Sequence, residues 1–212
     1  DVAAKRILGV GSTREAEEGK IREDSTAEEE ARGILPCLLY FGALLLRQIV
    51  GLYPHSGQGT PPMYGDYEAQ RHWMEITFNL DLRDWYFDTM DNDLQYWGLD
   101  YPPLSAYFAR MVASVSHAFE ANSVELFTSR GYDTTSHRTF MRSTVLLCDA
   151  LLMLPAALWL CRLMYPKGEN GDTNRFARHF AFACIAFCPA IVLVDHGHFQ
   201  YNGVMIGLTI LS

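Results

Sequence analysis

The sequence lacks the features that mark several common classes of protein. It has no basic excess, because 17 Lys and Arg stand against 25 Asp and Glu, for a formal net charge of −8. Proteins that bind nucleic acid normally present a basic surface to the phosphates, so we predict no nucleic-acid partner. It also contains no N-x-S/T glycosylation sequon, since Asn122 is followed by Ser123 and then Val124.

Cysteines are few, and their positions do not suggest a disulfide framework. All five lie in or beside apolar runs, where a thiol usually behaves as a small hydrophobic group; they are Cys37, Cys148, Cys161, Cys184 and Cys188. We predict no structural disulfide. Cys184 and Cys188 are one helical turn apart, but no further thiol or imidazole accompanies them, which favours core packing over a metal site.

A secretory signal is also missing from the start of the chain. Residues 1–33 carry clustered acids and few aromatics, so we predict a flexible acidic tail on the cytosolic side. Because the charged head lacks a basic n-region and a cleavage site, the apolar run after it is predicted to remain as an anchor. The chain begins at Asp1 and stops inside an apolar run, which predicts a piece of a longer protein.

Long apolar runs are what the sequence does contain. A helix crosses a hydrocarbon core of about 30 Å with roughly 20 apolar residues, and the first run has this length. We therefore predict an all-α polytopic membrane protein. Its predicted segments are a span at 34–53, a loop at 54–142, a span at 143–165, a connector at 166–179, a span at 180–194, a turn at 195–202 and the start of a span at 203–212.

Besides Arg162 at the end of the second span, two charged residues lie within the predicted spans. Arg47 lies near the end of the first, where it can extend to the headgroups or neutralise a lipid phosphate at the interface. Asp149 lies deep in the second. Since an intramembrane Asp normally faces protein rather than lipid, we expect Asp149 to point toward neighbouring helices.

Basic residues near the span ends predict the orientation. They precede the first span and surround the connector after the second, and the positive-inside rule places both regions in the cytosol; they are Lys20, Arg22, Arg32, Arg162, Lys167, Arg175 and Arg178. The loop at 54–142 then belongs on the opposite side. Three crossings put the sequence DHGHFQYN, residues 195–202, on that same side.

The long loop has helical patterns and many aromatic residues. The spacing of Ala69, Trp73, Ile76 and Leu80 predicts an amphipathic helix along the membrane, with Trp73 on its apolar face. A second helical pattern follows Pro102 and Pro103 and has its apolar positions at Leu104, Phe108, Met111, Val115 and Phe119. The aromatics between the two helices fit an interfacial belt or sugar-stacking faces; they are Trp85, Tyr86, Phe87, Tyr96 and Trp97.

Two acids in the loop are candidates for chemistry. Asp66 follows Gly65 where the first loop helix should begin, so it is either an N-cap or a carboxylate available as a general base. Asp100 lies in LDYPP, where the prolines hold the backbone extended, and by position alone it is a turn residue.

Four longer stretches carry a resemblance to a known family. GDYEAQRHWMEITFNL, QYWGLDYPPLSAY, SRGYDTTSHRTFMRSTV and DHGHFQYN resemble the eukaryotic dolichyl-phosphate-glucose-dependent glucosyltransferases of the endoplasmic reticulum. The resemblance covers nearly everything after Leu35. GDYEAQRHW is similar to the branch that adds the first glucose to the lipid-linked nine-mannose oligosaccharide, whereas the branch that adds the second shares LDYPP and HFQYN.

This resemblance implies a GT-C glycosyltransferase fold in the endoplasmic reticulum membrane, with several spans and an active site that faces the lumen. The implied reaction moves glucose from dolichyl phosphate glucose to the dolichyl-pyrophosphate-linked oligosaccharide, with inversion and an α-1,3 product. By match to the family motif, Asp66 is the expected general base. Asp100 and Tyr101 are expected to orient the acceptor. His198, Gln200 and Asn202 are expected to donate hydrogen bonds near the donor phosphate or sugar.

No cofactor or metal is expected. Asp195, His196 and His198 are close in sequence, but a fixed metal site normally recruits ligands from elsewhere as well. We therefore interpret DHGHFQYN either as a donor-binding element or as polar capping of two helix ends. The competing class is a non-enzymatic transporter or scaffold; transporters usually place ionisable groups at mid-membrane, and here only Asp149 is deep.

Overall fold

The computed structural model describes residues 33–166 and 171–212, with the side chains of 171–173 left out. The predicted tail up to residue 32 and the centre of the predicted connector, 167–170, lie outside the described residues. The chain divides into two units, Asp1–Gly42 and Ala43–Ser212. The described part of the first unit is helical, and the second unit contains the candidate site.

The described residues form helices and turns and contain no strand, which confirms the all-α prediction for this part of the chain. A π turn at Asp149–Met153 joins two of the helices, and a second π segment at Leu193–Phe199 follows a third. The helices are α1 Gly33–Gly51, α2 Asp66–Asn79, α3 Pro103–Phe119, α4 Thr135–Cys148, α5 Leu154–Met164, α6 Gly171–Ala186, α7 Pro189–Val192 and α8 Asn202–Leu211.

Three helical stretches are long and apolar enough to cross a membrane: Gly33–Gly51, Thr135–Met164 and Asn174–Phe199. The second begins at Thr135 and not at Ser143, because the Thr134 hydroxyl accepts a hydrogen bond from the His137 N–H and so caps the helix early. The predicted long loop therefore loses its last residues to a helix.

The third stretch also differs from its predicted limits. Helix α6 starts at Gly171, inside the predicted connector, and the helical conformation continues to Phe199. DHGHF was predicted as part of a turn, and this is wrong, because it is a π segment. Such wide turns often occur at functional sites.

Helix α2 is buried rather than laid along a membrane surface. Ten of its residues, from Tyr67 to Thr77, are buried, including polar ones. The prediction of an amphipathic surface helix is wrong because the polar side chains of α2 are paired inside the protein. The indole of Trp73, for example, donates to the Trp97 carbonyl at 2.9 Å.

Helix α3 has its apolar stripe on the outside. Its buried positions are small, Ala106, Ala109, Val112, Ala113 and Ser116. The large residues of the predicted apolar face, by contrast, are exposed: Leu104, Met111, Val115 and Phe119. Small residues let helices approach closely, whereas large apolar ones suit contact with lipid. The periodicity thus predicted the helix correctly but not which side of it faces the protein.

The aromatic residues of the loop are mostly part of the core. Trp85 and Tyr96 are 2% and 7% exposed, and Trp97 donates to the Met63 carbonyl. For Trp85 and Tyr96, both the membrane belt and the sugar-stacking interpretation are wrong. Phe87, at 66% exposed, is the member of the set that is free to contact lipid.

Candidate active site

Asp66 is the first residue of α2, and Gly65 is its N-cap. Gly65 has a φ of 78°, a left-handed conformation that favours glycine, and a Cβ there would collide with the Ser56 carbonyl. The sharp turn at Gly65 brings the chain into α2, and no side chain caps the helix. The N-cap interpretation of Asp66 is therefore wrong, and its carboxylate is available for other partners.

Those partners come from the far end of the described chain. His198 Nδ1 lies 2.8 Å from Asp66 Oδ2, and Gln200 Nε2 donates to the same oxygen at 2.7 Å. In the described part of the chain, Asp66 Oδ1 accepts no hydrogen bond. The side chain of Asp66 is 26% exposed and that of His198 51%, so the pair is open to an incoming molecule.

A strained backbone directs both partners to the same carboxylate. Phe199, between His198 and Gln200, has a φ of 90°, which a non-glycine residue adopts only when its surroundings hold it there. Its ring is fully buried and packs edge-on against Tyr67 and Tyr201, with centroids 5.0 and 5.7 Å apart. The buried Phe199 thus fixes where its two polar neighbours point.

Asn202 and Asp195 fix the other side of this segment. Asn202 Nδ2 donates to Gln200 Oε1 at 2.8 Å and to Asp195 Oδ1 at 2.9 Å. The buried Asp195 also accepts the backbone N–H of Asn202 and of Gly203 at the start of α8. Asp195 therefore caps the start of α8, whereas His198 and Gln200, for which capping was the alternative, contact Asp66.

A buried charge cluster lies behind the segment, in the apolar part of the protein. Asp149 Oδ2 lies 2.6 Å from Arg47 Nε and 2.9 Å from His196 Nε2, and all three side chains are almost fully buried. Arg47 also donates to the Ala186 carbonyl at 2.6 Å. Asp149 faces protein, as predicted. Arg47 does not reach the headgroups or a lipid phosphate, because Asp149 neutralises it inside.

Arg142 attaches the same segment to the loop that precedes α2. Its guanidinium donates to the His196 carbonyl and to the Tyr53 carbonyl. Arg47, Asp149 and Arg142 were not predicted to act together. The available signal was the presence of one Asp and one Arg in neighbouring apolar spans, since charges at such depth are paired.

At Gly203, the backbone of α8 lies close to Asp149 of the buried charge cluster. A Cβ at this position would collide with Asp149 Oδ1 and come within 3.3 Å of Asp195 Oδ2. We expect Gly203→Ala to displace α8 and to lower the thermal unfolding temperature by several degrees, measured on the full-length protein in detergent. Gly197→Ala is the matched control, because its Cβ would meet Val50 at an ordinary 3.7 Å. Equal stability of the two variants would contradict the close approach at Gly203.

Helix α2 is held in place by a second polar cluster that the sequence analysis missed. Arg71 donates to Glu68 at 2.6 Å, to Glu75 at 2.7 Å and to the Ser129 hydroxyl at 2.6 Å. Tyr96 donates to Glu68, so the cluster joins α2 to distant parts of the loop. Burial raises the pKa of Glu75, but hydrogen bonds from His72 and the charge of Arg71 outweigh it and lower the pKa to about 2.

Arg71 and His72 are 0% and 3% exposed, so both belong to the interior of the protein and not to a solvated surface. The spacing of Glu68, Arg71 and Glu75, three and four residues apart, was the signal, because it puts opposite charges on one helix face. The cluster fixes the orientation of the helix whose first residue is Asp66.

Asp100 and Tyr101 are not in contact with Asp66. Asp100 is exposed, and the Tyr101 ring packs edge-on against Trp73 with centroids 5.0 Å apart. Tyr101 lines an apolar cavity of about 600 Å³ between α2, α3, α4, the π turn after α4, and α8, and Asn202 lies at the same cavity. Asn202 therefore connects this cavity to Gln200 and Asp66.

No arrangement suited to a metal is found among the described residues. Asp195, His196 and His198, the three residues considered for one, each have different partners: Asn202 and Gly203, Asp149, and Asp66. The site contains the Asp66 carboxylate, whose Oδ2 is held by Gln200 and the His198 imidazole and whose Oδ1 accepts no hydrogen bond from the described residues. Such a group can take a proton from a hydroxyl that approaches Oδ1.

The chain is similar in sequence to known proteins. The sequence pattern of the ALG6, ALG8 glycosyltransferase family matches residues 40–212, which include the whole of the candidate site. The chain belongs to this family. The resemblance read from the sequence is thus confirmed, and members of the ALG6, ALG8 family named below are glycosyltransferases.

Three curated members of the family show how close the similarity is. The chain is 49% identical over 175 residues to the probable dolichyl pyrophosphate Man9GlcNAc2 alpha-1,3-glucosyltransferase of Dictyostelium discoideum. The aligned region covers 82% of this chain and 33% of the relative. It is 47% identical over 168 residues to the Gallus gallus enzyme of that name, covering 79% and 32%. For the Saccharomyces cerevisiae enzyme the identity is 43% over 174 residues, covering 81% and 31%. The chain spans about a third of the length of these relatives.

Proposed function

We propose that the protein containing this chain transfers glucose, with inversion, from dolichyl phosphate glucose to a mannose of the dolichyl-pyrophosphate-linked Man9GlcNAc2 oligosaccharide. This makes the first α-1,3-linked glucose of the N-glycan precursor. The observation that carries the proposal is the hydrogen-bonded contact of Asp66 with His198 and Gln200, in a chain whose relatives are named dolichyl pyrophosphate Man9GlcNAc2 alpha-1,3-glucosyltransferases. Those names favour the first glucose over the second.

The reaction needs one base and a leaving group that departs as an anion. The mannose hydroxyl attacks C1 of the glucose, the bond from C1 to the phosphate oxygen breaks, and dolichyl phosphate leaves with the bonding electrons. Attack opposite to a β-linked phosphate gives the α product. Asp66 Oδ1 takes the hydroxyl proton as the new bond forms, which makes the hydroxyl a better nucleophile. No general acid is needed, in contrast to a glycosidase with its two carboxyl groups.

The remaining site residues orient the base and the two substrates. Gln200 and His198 hold Asp66 Oδ2, so that Oδ1 points to the acceptor. When its imidazole carries both protons, His198 donates from Nδ1 to Asp66 and from Nε2 toward the departing phosphate, where fixed donors stabilise the developing negative charge. Tyr101 and Asn202, at the edge of the apolar cavity, orient the sugars near its mouth, and Asp100 orients the acceptor from the exposed side. The proposed mechanism uses no metal and no cofactor.

The proposed setting is the endoplasmic reticulum membrane, crossed several times, with a GT-C architecture and the site facing the lumen. Three long apolar helices support the membrane location. The basic residues that flank the first two spans favour a cytosolic side opposite to the loop. The short distance between α2 and the DHGHFQ segment is consistent with both lying on that opposite side.

The donor is tested by transfer assays on the full-length protein in detergent. We expect glucose to move to the lipid-linked Man9GlcNAc2 acceptor from a synthetic short-chain dolichyl phosphate glucose and not from UDP-glucose. Removal of divalent ions with EDTA should leave the rate unchanged, because the departing group, dolichyl phosphate, has a single phosphate and needs no metal to leave. Transfer from UDP-glucose, or loss of activity with EDTA, would contradict the proposed chemistry.

A further inference from the structure

A second cavity lies in the loop beside α2, and the proposed reaction does not use it. Its volume is about 220 Å³, and a larger share of its lining is polar than in the first cavity. Tyr67 and Glu68, which directly follow Asp66, form one wall of it. The full lining consists of His55, Gly59, Tyr64, Tyr67, Glu68, Gly131, Tyr132 and Asp133.

His55 has an unused hydrogen-bonding atom at this cavity. Its side chain is 1% exposed, and its ring stacks on Tyr67 with centroids 4.4 Å apart. Burial lowers the pKa of His55, so the imidazole is neutral at neutral pH. Nδ1 lies 3.2 Å from the Ser56 carbonyl and therefore carries the proton, which leaves Nε2 as an acceptor.

Within the described residues, His55 Nε2 accepts no hydrogen bond. The nearest charged group is Asp133, with Oδ2 at 3.7 Å, and it is an acceptor too. Two acceptors that face each other across a cavity need an O–H group between them, because a buried acceptor without a donor is costly. A hydroxyl that donates to His55, next to a second one that donates to Asp133, fills this need.

The other lining groups restrict the ligand further. Neither Lys nor Arg is among the lining residues, and both carboxylates are already ion-paired, Asp133 with Arg138 and Glu68 with Arg71. Such a surface does not favour a phosphate. Tyr64 and Tyr132 supply aromatic rings with polar ends, which suit a sugar ring better than an acyl chain. Tyr64, Tyr132 and Asp133 are partly exposed, so the cavity is open to a ligand.

We propose that this cavity binds one hexose of the oligosaccharide acceptor, at a distance from the mannose that receives glucose, through hydroxyls donated to His55 Nε2 and Asp133. The inference rests on the proposed function for the identity of the ligand. In this proposal, the cavity between His55 and Asp133 distinguishes the complete glycan from shorter ones. Asp66, which begins α2 next to Tyr67 and Glu68, remains the proposed general base.

The test compares His55→Phe with wild type in the full-length protein, using two lipid-linked acceptors. Phe retains the ring that stacks on Tyr67 and removes the acceptor nitrogen. For the complete Man9GlcNAc2 acceptor we expect KM to rise about three- to tenfold, the loss of one hydrogen bond, with kcat unchanged. For a truncated acceptor that keeps only the reacting mannose branch, both constants should match wild type.

An equal rise in KM for both acceptors, a fall in kcat, or no change in KM would overturn the proposal. The last result, together with no binding of free glycan, would mean that water alone occupies the cavity. A second readout is saturation-transfer NMR with the free Man9GlcNAc2 glycan, in which His55→Phe should weaken the signals of one remote mannose. If wild type transfers no glucose, the proposed function fails, but this NMR experiment still decides whether the cavity binds sugar.

Discussion

Replacement of Asp66 by Asn is expected to lower the turnover of the full-length enzyme by about 10²- to 10⁴-fold, the usual contribution of a general base. Asn keeps the shape of the side chain, and its oxygen still accepts the Gln200 hydrogen bond, so the thermal unfolding temperature should stay near that of wild type. The measurement is glucose transfer to the lipid-linked acceptor at saturating concentrations of both substrates. The KM values should change little, because the lost interaction acts only as the proton leaves.

Asp91→Asn is the matched control for this experiment, since Asp91 is an exposed acid of the same loop. It should transfer glucose at the wild-type rate. Turnover of Asp66→Asn within a few fold of wild type would reject Asp66 as the base. Loss of turnover together with a large drop in unfolding temperature would show that Asp66 supports the fold instead.

The second large effect is expected at Asp149. Asp149→Leu leaves the Arg47 guanidinium buried without its counter-ion, and breaking a buried ion pair in this way costs about 3–5 kcal/mol. It also removes the acceptor for His196 Nε2, which belongs to the segment that carries His198 and Gln200. We therefore expect both lower stability and lower turnover, measured by thermal unfolding in detergent and by glucose transfer.

The double variant Arg47→Met, Asp149→Leu separates the two roles of this pair. Without either charge, much of the stability should return, because no uncompensated charge is left in the apolar interior. Turnover should return less fully, since His196 still lacks its acceptor. If the double variant is as unstable as the sum of the two single variants, the pair is not the reason for the loss.

The positions of the helices followed from the sequence because apolar length and periodicity are local properties. The apolar runs near Ile34, Ser143 and Phe180 are helical, and the patterns after Asp66 and Pro103 mark α2 and α3. What could not be predicted is which side of a helix faces the protein. In α3 the small residues pack inward, and no local pattern distinguishes a lipid-facing stripe from a core-facing one.

For the candidate site, the family motifs pointed to Asp66, His198, Gln200 and Asn202, and the structure brings all four into one hydrogen-bonded chain. It does not bring Asp100 into that chain. The contact of His198 and Gln200 with Asp66 depends on the φ of Phe199, which is a tertiary effect. Arg47 and Asp149 are 102 positions apart, so their pairing required the packed structure.

Asp66 and His198, which are in contact, are 132 positions apart in the sequence. During synthesis, the first loop therefore emerges long before the segment that orients its carboxylate. Until the third long apolar helix has been inserted and DHGHFQ has reached the loop, Asp66 lacks both of its donors. In the proposed mechanism, a nascent chain halted before that helix is inserted therefore carries the base without the two donors that orient it.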